Sequence, residues 1–295
     1  VWTKKDSAVA TAEQLYSIIG LPGKIRQPPL ADSAVRSYRL RRFPLPVLFH
    51  FRRQSVLYRS GASDRGGLSD KGNLRLKIAF DNAGKQGLME TEAYRKFLAE
   101  NARWLDDYAL YMAVKNAFDG VCFMEWDEDI RLRKAASLRK YRKKIAEEIS
   151  FYQFQQYLFV KQWRELKAYA NKKGIESVGD IPIYVAFDSA DTWENPKLFQ
   201  LDKEGRPIGV AGCPPDCFSE TGQLWGNPLY DWKYHKKTGY EWWMQRIAYC
   251  YQLYDVLRID HFRGFDEYWF VPYGDPTAQN GHWEKGPGYE LFAVM

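Results

Sequence analysis

The stretch "VLRID", residues 256–260, sets an arginine and an aspartate two residues apart at the end of an apolar run, and a histidine follows. In an extended chain the two-residue period puts Arg258 and Asp260 on one face, with Leu257 and Ile259 on the other. A guanidinium this close favours the ionised carboxylate, which is the condition a carboxylate nucleophile needs. Asp180, in "VGDIPIYVAF", offers a second carboxylate from another extended stretch, in which Asp180, Pro182 and Tyr184 share one face and Ile181, Ile183 and Val185 the other. An Arg–Asp ion pair that only closes a strand end fits the same spacing equally well, because structural pairs also perturb carboxylates.

The elements that must carry these residues follow from periodicity. Between Glu90 and Gly120, Tyr94, Phe97, Leu98, Leu105, Tyr108 and Met112 recur at helical spacing and predict a helix or a broken pair ending at the glycine. From Arg131 to Lys173, Leu138, Tyr141, Ile145, Ile149 and Tyr152, then Phe159, Trp163, Leu166 and Ala170, predict a second long helical region closed by Gly174. The strand Val178 to Phe187 is followed by a loop of about fifty residues, Asp188 to Gly239; loops this long are uncommon and often functional. An aromatic helix, "YEWWMQRIAYCYQLYD", then leads into "VLRID". Strand, crossover, helix, strand is the order of a parallel α/β fold, whose ligands sit at the carboxyl ends of its strands.

Composition narrows the function. Residues 21–65 hold ten Lys/Arg and two Asp, a net of +8, while the remaining 33 basic and 35 acidic residues sum to −2. The overall +6 therefore belongs to one aperiodic segment with no recognisable nucleic-acid module, and no nucleic-acid partner is expected. No run of about 18 uncharged apolar residues appears and the first residues lack a signal-peptide pattern, so a cytoplasmic protein without a membrane partner is the expectation. Cys122, Cys213, Cys217 and Cys250 have neither zinc-knuckle nor redox spacing and are expected as free thiols. His50, His235, His261 and His282 show no metal-ligand spacing, so neither metal nor cofactor is expected. The 11 Trp, 20 Tyr and 17 Phe are mostly core by default, and some are flat faces on which sugar rings stack.

Three stretches carry a resemblance. "RIDHFRGF", "GDIPIYVAFDSADTWENPKLF" and "GCPPDCFSETGQLWGNPLYDW" resemble the amylomaltases, the 4-alpha-glucanotransferases of glycoside hydrolase family 77 and relatives of the alpha-amylases; the likeness runs from Glu90 to Met295. It implies a (β/α)8 barrel, present here in part and interrupted by a helical insertion. It implies that Asp260 is the nucleophile and Arg258 its partner, that Asp180 binds the donor glucose, and that His261 contacts substrate. The loop with Asp216, Phe218, Gln223 and Trp225 corresponds to a lid over the acceptor, where Phe218 and Trp225 would exclude water and stack the acceptor. The chemistry would be a covalent glycosyl-enzyme formed from alpha-1,4-glucans such as maltooligosaccharides, assisted by a second carboxyl group roughly 5 Å away.

The family pattern is departed from in two places. Its acid/base glutamate and a third aspartate lie beyond residue 295; Asp266, Glu267, Asp275, Glu284 and Glu290 do not match that motif, so the chain alone is expected not to complete the double displacement. The later barrel strands are likewise expected to be missing. In addition, Arg41 to Ser60 matches nothing in the family, yet its codons read one base later permit the family's sugar-binding stretch near the first barrel strand. Residues 21–70 are therefore expected to be a frameshifted translation. The resulting division is a barrel start at 1–76, a helical region at 77–175, and barrel strands with the acceptor loop and nucleophile at 176–295. A hydrolase of the alpha-amylase clan and a non-catalytic glycan-binding module are the competing functions.

Overall fold

The computed structural model describes residues 69–295, with side chains from Arg75 onward. Most of the expected barrel start and nearly all of the stretch expected to be out of frame lie outside the described residues.

Among the described residues, five α-helices precede the first strand: α1 (Ser69–Lys85), α2 (Glu92–Ala117), α3 (Glu128–Arg131), α4 (Ala135–Lys144) and α5 (Ala146–Lys172). The Thr91 hydroxyl starts α2 by accepting from the Tyr94 amide at 3.3 Å. Gly120, at φ +78°, ends that turn by donating to the Lys115 carbonyl at 2.8 Å. The region expected to be helical from Arg131 to Lys173 is helical in pieces: α3 ends at Arg131, and α4 and α5 fill most of the rest. Arg142, Lys143 and Lys144 fill the last turn of α4, where cations suit the carbonyl end of the helix, and Ile145 leaves helical geometry at φ −120°. Helices α2 and α5 pack through edge-on rings, Tyr94 and Phe97 meeting Tyr157 at 5.1 and 5.5 Å.

The strands form two sheets. In the first, β1 (Val178–Pro182) runs parallel to β4 (Val256–Asp260), with Asp180 opposite Arg258 and Pro182 opposite Asp260. Ile181, Ile183 and Val185 are buried, as the alternation requires. The strand nevertheless stops at Pro182 rather than Phe187. The Pro182 and Ile183 carbonyls accept from side chains, Arg246 for both and Tyr230 for the second, so the ladder does not continue there.

The expected fifty-residue loop is not structureless. It contains α6 (Ala190–Glu194), β2 (Gly209–Cys213), β3 (Gln223–Pro228) and α7 (Trp232–Lys237). With β5 (Glu267–Pro272) and β6 (His282–Lys285), β2 and β3 build an antiparallel sheet in the order β3-β2-β5-β6. Its central strand reads "GVAGC" and is buried on both faces, so it shows no alternation. Gly209 leaves the space that the Phe270 ring occupies, and Gly212 faces the Gln223 carbonyl. Helix α8 (Glu241–Leu253) feeds β4, and α9 (Tyr289–Phe292) follows the second sheet.

The core beneath both sheets gathers Ile183, Tyr184, Leu229, Tyr230, Trp243 and Phe265. Burying each side chain of this size contributes ~1.5–3 kcal/mol. A second anchorage joins sheet and helices: Asp188 accepts from the Tyr111 hydroxyl at 2.5 Å and pairs with buried Lys115, which also donates to the Val121 carbonyl at 3.2 Å. Among the described residues no helix is long and apolar enough to cross a membrane. Cys122, Cys213, Cys217 and Cys250 form no disulfide among the described residues.

Candidate active site

The β1–β4 register decides the geometry. Because Asp180 stands opposite Arg258, the arginine lies between the two carboxylates, one across the ladder and one two residues along its own strand. Arg258 Nη1 meets Asp180 Oδ2 at 2.6 Å and Nη2 meets Asp260 Oδ1 at 2.8 Å. These are charge-assisted lengths, and each nitrogen serves one carboxylate. The side chains of Asp180 and Asp260 are 43% and 54% exposed, so both remain open to a ligand.

His261 follows at φ +54°, a left-handed conformation that turns the chain out of β4. Its ring lies edge-on to Trp225 at 4.8 Å and 6.3 Å from the Tyr184 ring. Burial draws the imidazole below its ordinary range, with the Asp260 charge opposing that shift and Arg263 adding to it. Its Nε2 is buried with no hydrogen-bond partner among the described residues. Trp225 is fixed by donating Nε1 to Gln223 Oε1 at 3.1 Å, both on β3.

Asp260, Arg258, Asp180, His261, Trp225 and Gln223 thus form one connected surface. Asp216 and Phe218 stand apart from it. Asp216 Oδ1 accepts from the Phe218 and Ser219 amides at 2.9 Å each, shaping the turn between β2 and β3, while the Phe218 side chain is 93% exposed. Of the carboxylates after Asp260, Glu284 accepts from Tyr268 at 2.5 Å and Glu290 pairs with Lys236 at 2.8 Å; neither bonds to Arg258 or Asp260. Among the described residues no cluster of His, Cys, Asp and Glu is arranged to hold a metal ion.

Sequence reasoning passed over Arg246, Tyr230 and Asp188. The signal for Arg246 was present: it stands four residues after Trp242 and three after Trp243, a charge on the apolar face of an aromatic helix. Asp188 and Lys115 are 73 residues apart, and nothing local to either marks the pairing.

A family model described as 4-alpha-glucanotransferase matches residues 62–295. The 4-alpha-glucanotransferase of Clostridium butyricum is 54% identical over 207 residues, covering 70% of this chain and 42% of its own length. That of Aquifex aeolicus is 48% identical over 220 residues, covering 75% and 44%. Among solved structures, the amylomaltase from Streptococcus agalactiae in complex with acarbose aligns with a TM-score of 0.75 at 45% identity, over 78% of this chain and 46% of that one. The chain spans under half the length of these relatives.

Proposed function

The chain belongs to glycoside hydrolase family 77, and from that premise we propose that it carries the nucleophile and donor-side residues of a 4-alpha-glucanotransferase acting on alpha-1,4-glucans. In this reading the parallel pair β1–β4 is part of a (β/α)8 barrel, with α1–α5 as its helical insertion. The observation that carries the proposal is Arg258 bridging Asp180, across the ladder, and Asp260, the last residue of β4.

The steps follow from the geometry. Arg258 orients Asp260 through Oδ1, leaving Oδ2 free of the guanidinium to attack the anomeric carbon. The bond from C1 to the leaving sugar's oxygen breaks as the new C1–O bond to Asp260 forms, giving a glycosyl-enzyme. A second carboxyl group protonates the leaving oxygen and later takes the proton of the incoming hydroxyl. We assign that group to the part of the relatives' length that this chain does not span. Asp180 accepts from a donor-sugar hydroxyl, and Trp225 with His261 walls one side of the site. The Phe218 contact expected of a lid is assigned to the acceptor-bound form, in which the exposed ring on the β2–β3 turn meets the sugar.

A slow fluorinated maltosyl fluoride tests the assignment, because fluoride departs without a proton donor. It is incubated with this chain and with an enzyme extended to the relatives' length, and both are digested for mass spectrometry. The label is expected on the peptide that contains Asp260. A label on any other carboxylate in both proteins overturns the reading. Glucose plus longer maltodextrins from maltotriose identifies transfer, whereas shortening alone identifies hydrolysis.

A further inference from the structure

Arg246 is fully buried on α8, its guanidinium 4.8 Å from the Trp243 ring and 5.4 Å from the Trp242 ring. Nη1 donates to the Ile183 carbonyl at 2.7 Å and to the Tyr230 hydroxyl at 3.3 Å, and Nη2 donates to the Pro182 carbonyl. Tyr230 in turn donates to the Ile183 carbonyl at 2.7 Å. Among the described residues no carboxylate lies within ion-pair distance of Arg246, and its Nε has no hydrogen-bond partner.

A buried cation without a counter-charge is expensive, and an apolar side chain of similar volume is generally no worse for stability. Anchoring the core therefore does not account for the charge. Its acceptors point to another use. Pro182 stands opposite Asp260 in the strand register, and Asp180, two residues earlier on the same strand, stands opposite Arg258.

We propose that Arg246 is a positioning residue for the carboxylate pair: by holding the last carbonyl of β1, at Pro182, and the Ile183 carbonyl just beyond it, it sets the height of Asp180 against β4, so that one guanidinium at Arg258 reaches both Asp180 and Asp260. A strand end free to slide by an ångström takes the 2.6 Å Asp180 contact out of hydrogen-bond range. The proposal rests on the assignment of Asp260 as nucleophile for its catalytic meaning, and on geometry alone for its structural one.

The test is a double-mutant cycle in the enzyme extended to the relatives' length. R246K is expected to lower kcat for maltotriose disproportionation roughly tenfold or more while KM changes little, as for misplaced catalytic groups. In a D180N background the same substitution is expected to cost about twofold or less, because both act through one contact. Equal losses in the two backgrounds overturn the proposal. Y230F, which removes the hydroxyl that donates to the Ile183 carbonyl and accepts from Arg246 Nη1, gives a second entry to the cycle where R246K fails to fold. A readout independent of turnover is the 15N resonance of the Arg258 Nε–H in this chain. R246K or Y230F is expected to shift it, and an unmoved resonance in both overturns the proposal. Absence of transfer by the unsubstituted enzyme, with that resonance still displaced, counts against the assigned function and for the positioning role.

Discussion

Asp180 and Asp260, on two parallel strands, are tied through a single guanidinium: Arg258 reaches the first at 2.6 Å and the second at 2.8 Å. The three side chains are between 43% and 59% exposed. Exposed ion pairs stabilise a fold by ~0–1 kcal/mol, so the arrangement is poorly explained as a strand-end staple. It is well explained, under the proposed function, as a way to fix two carboxylates at one height on an open surface.

R258K separates these roles, because lysine keeps the charge and loses the fork that spans both partners. In the extended enzyme it is expected to cut kcat/KM by roughly tenfold to a hundredfold. Urea unfolding of this chain is expected to change by less than about 1 kcal/mol.

Trp225 meets His261 edge-on at 4.8 Å, so an indole wall stands beside the residue that follows Asp260, the proposed nucleophile. Removing it opens that side to water. W225A is expected to lower the ratio of transfer to hydrolysis with maltotriose, and W225F to preserve most of it. An unchanged ratio in W225A removes Trp225 from the water-excluding role.

Lys115 is only 8% exposed and is paired with Asp188. K115M leaves the carboxylate without its counter-charge and is expected to destabilise this chain by ~3–5 kcal/mol. The double substitution K115M/D188L is expected to recover part of that loss, since it removes the stranded charge as well. Thermal unfolding of the three proteins measures both.

Two groups give stability opposite pH dependences. Burial draws His235 from 6.5 down to about 4, against its bond to the Leu198 carbonyl, so the unfolded chain takes up a proton that the folded one refuses. That contribution is whole above pH 6.5 and is lost as pH falls through about 4, amounting to ~3 kcal/mol. Burial, with the charges of Asp107 and Asp191, pushes Glu194 from 4.5 up to about 8. Its contribution is whole below pH 4.5 and is lost as pH rises through about 8. The two slopes cancel between pH 4.5 and 6.5, leaving stability to decline on either side of that window. In urea titrations H235Q is expected to flatten the acid limb and E194Q the alkaline one.

The parts of this architecture visible in the sequence are those whose signal is periodic. Alternation in "VLRID" and "VGDIP" places Arg258, Asp260 and Asp180 on strands, and helical spacing finds the cores of α2 and α5. The antiparallel sheet escapes that method because β2 is made of small residues buried on both faces and β3 contains glycine and proline. The early end of β1 also escapes it. That boundary is set by Arg246 and Tyr230, which lie 64 and 48 residues beyond Pro182 in the chain and act on carbonyls that every sequence shares. Within the site, the likeness in motif assigns Asp216 and Phe218 to the acceptor side, and the turn they share, closed by Asp216 on the Phe218 and Ser219 amides, carries no periodic signal.

Asp188 also bonds the Phe123 amide at 3.3 Å, so one side chain on the segment leaving β1 grips the end of α2 and the turn beyond it. Under tension the two therefore behave as one mechanical unit. Pulling the chain apart from its ends in an optical trap should release the helices and the first strand in a single step, and K115M should split that step into two.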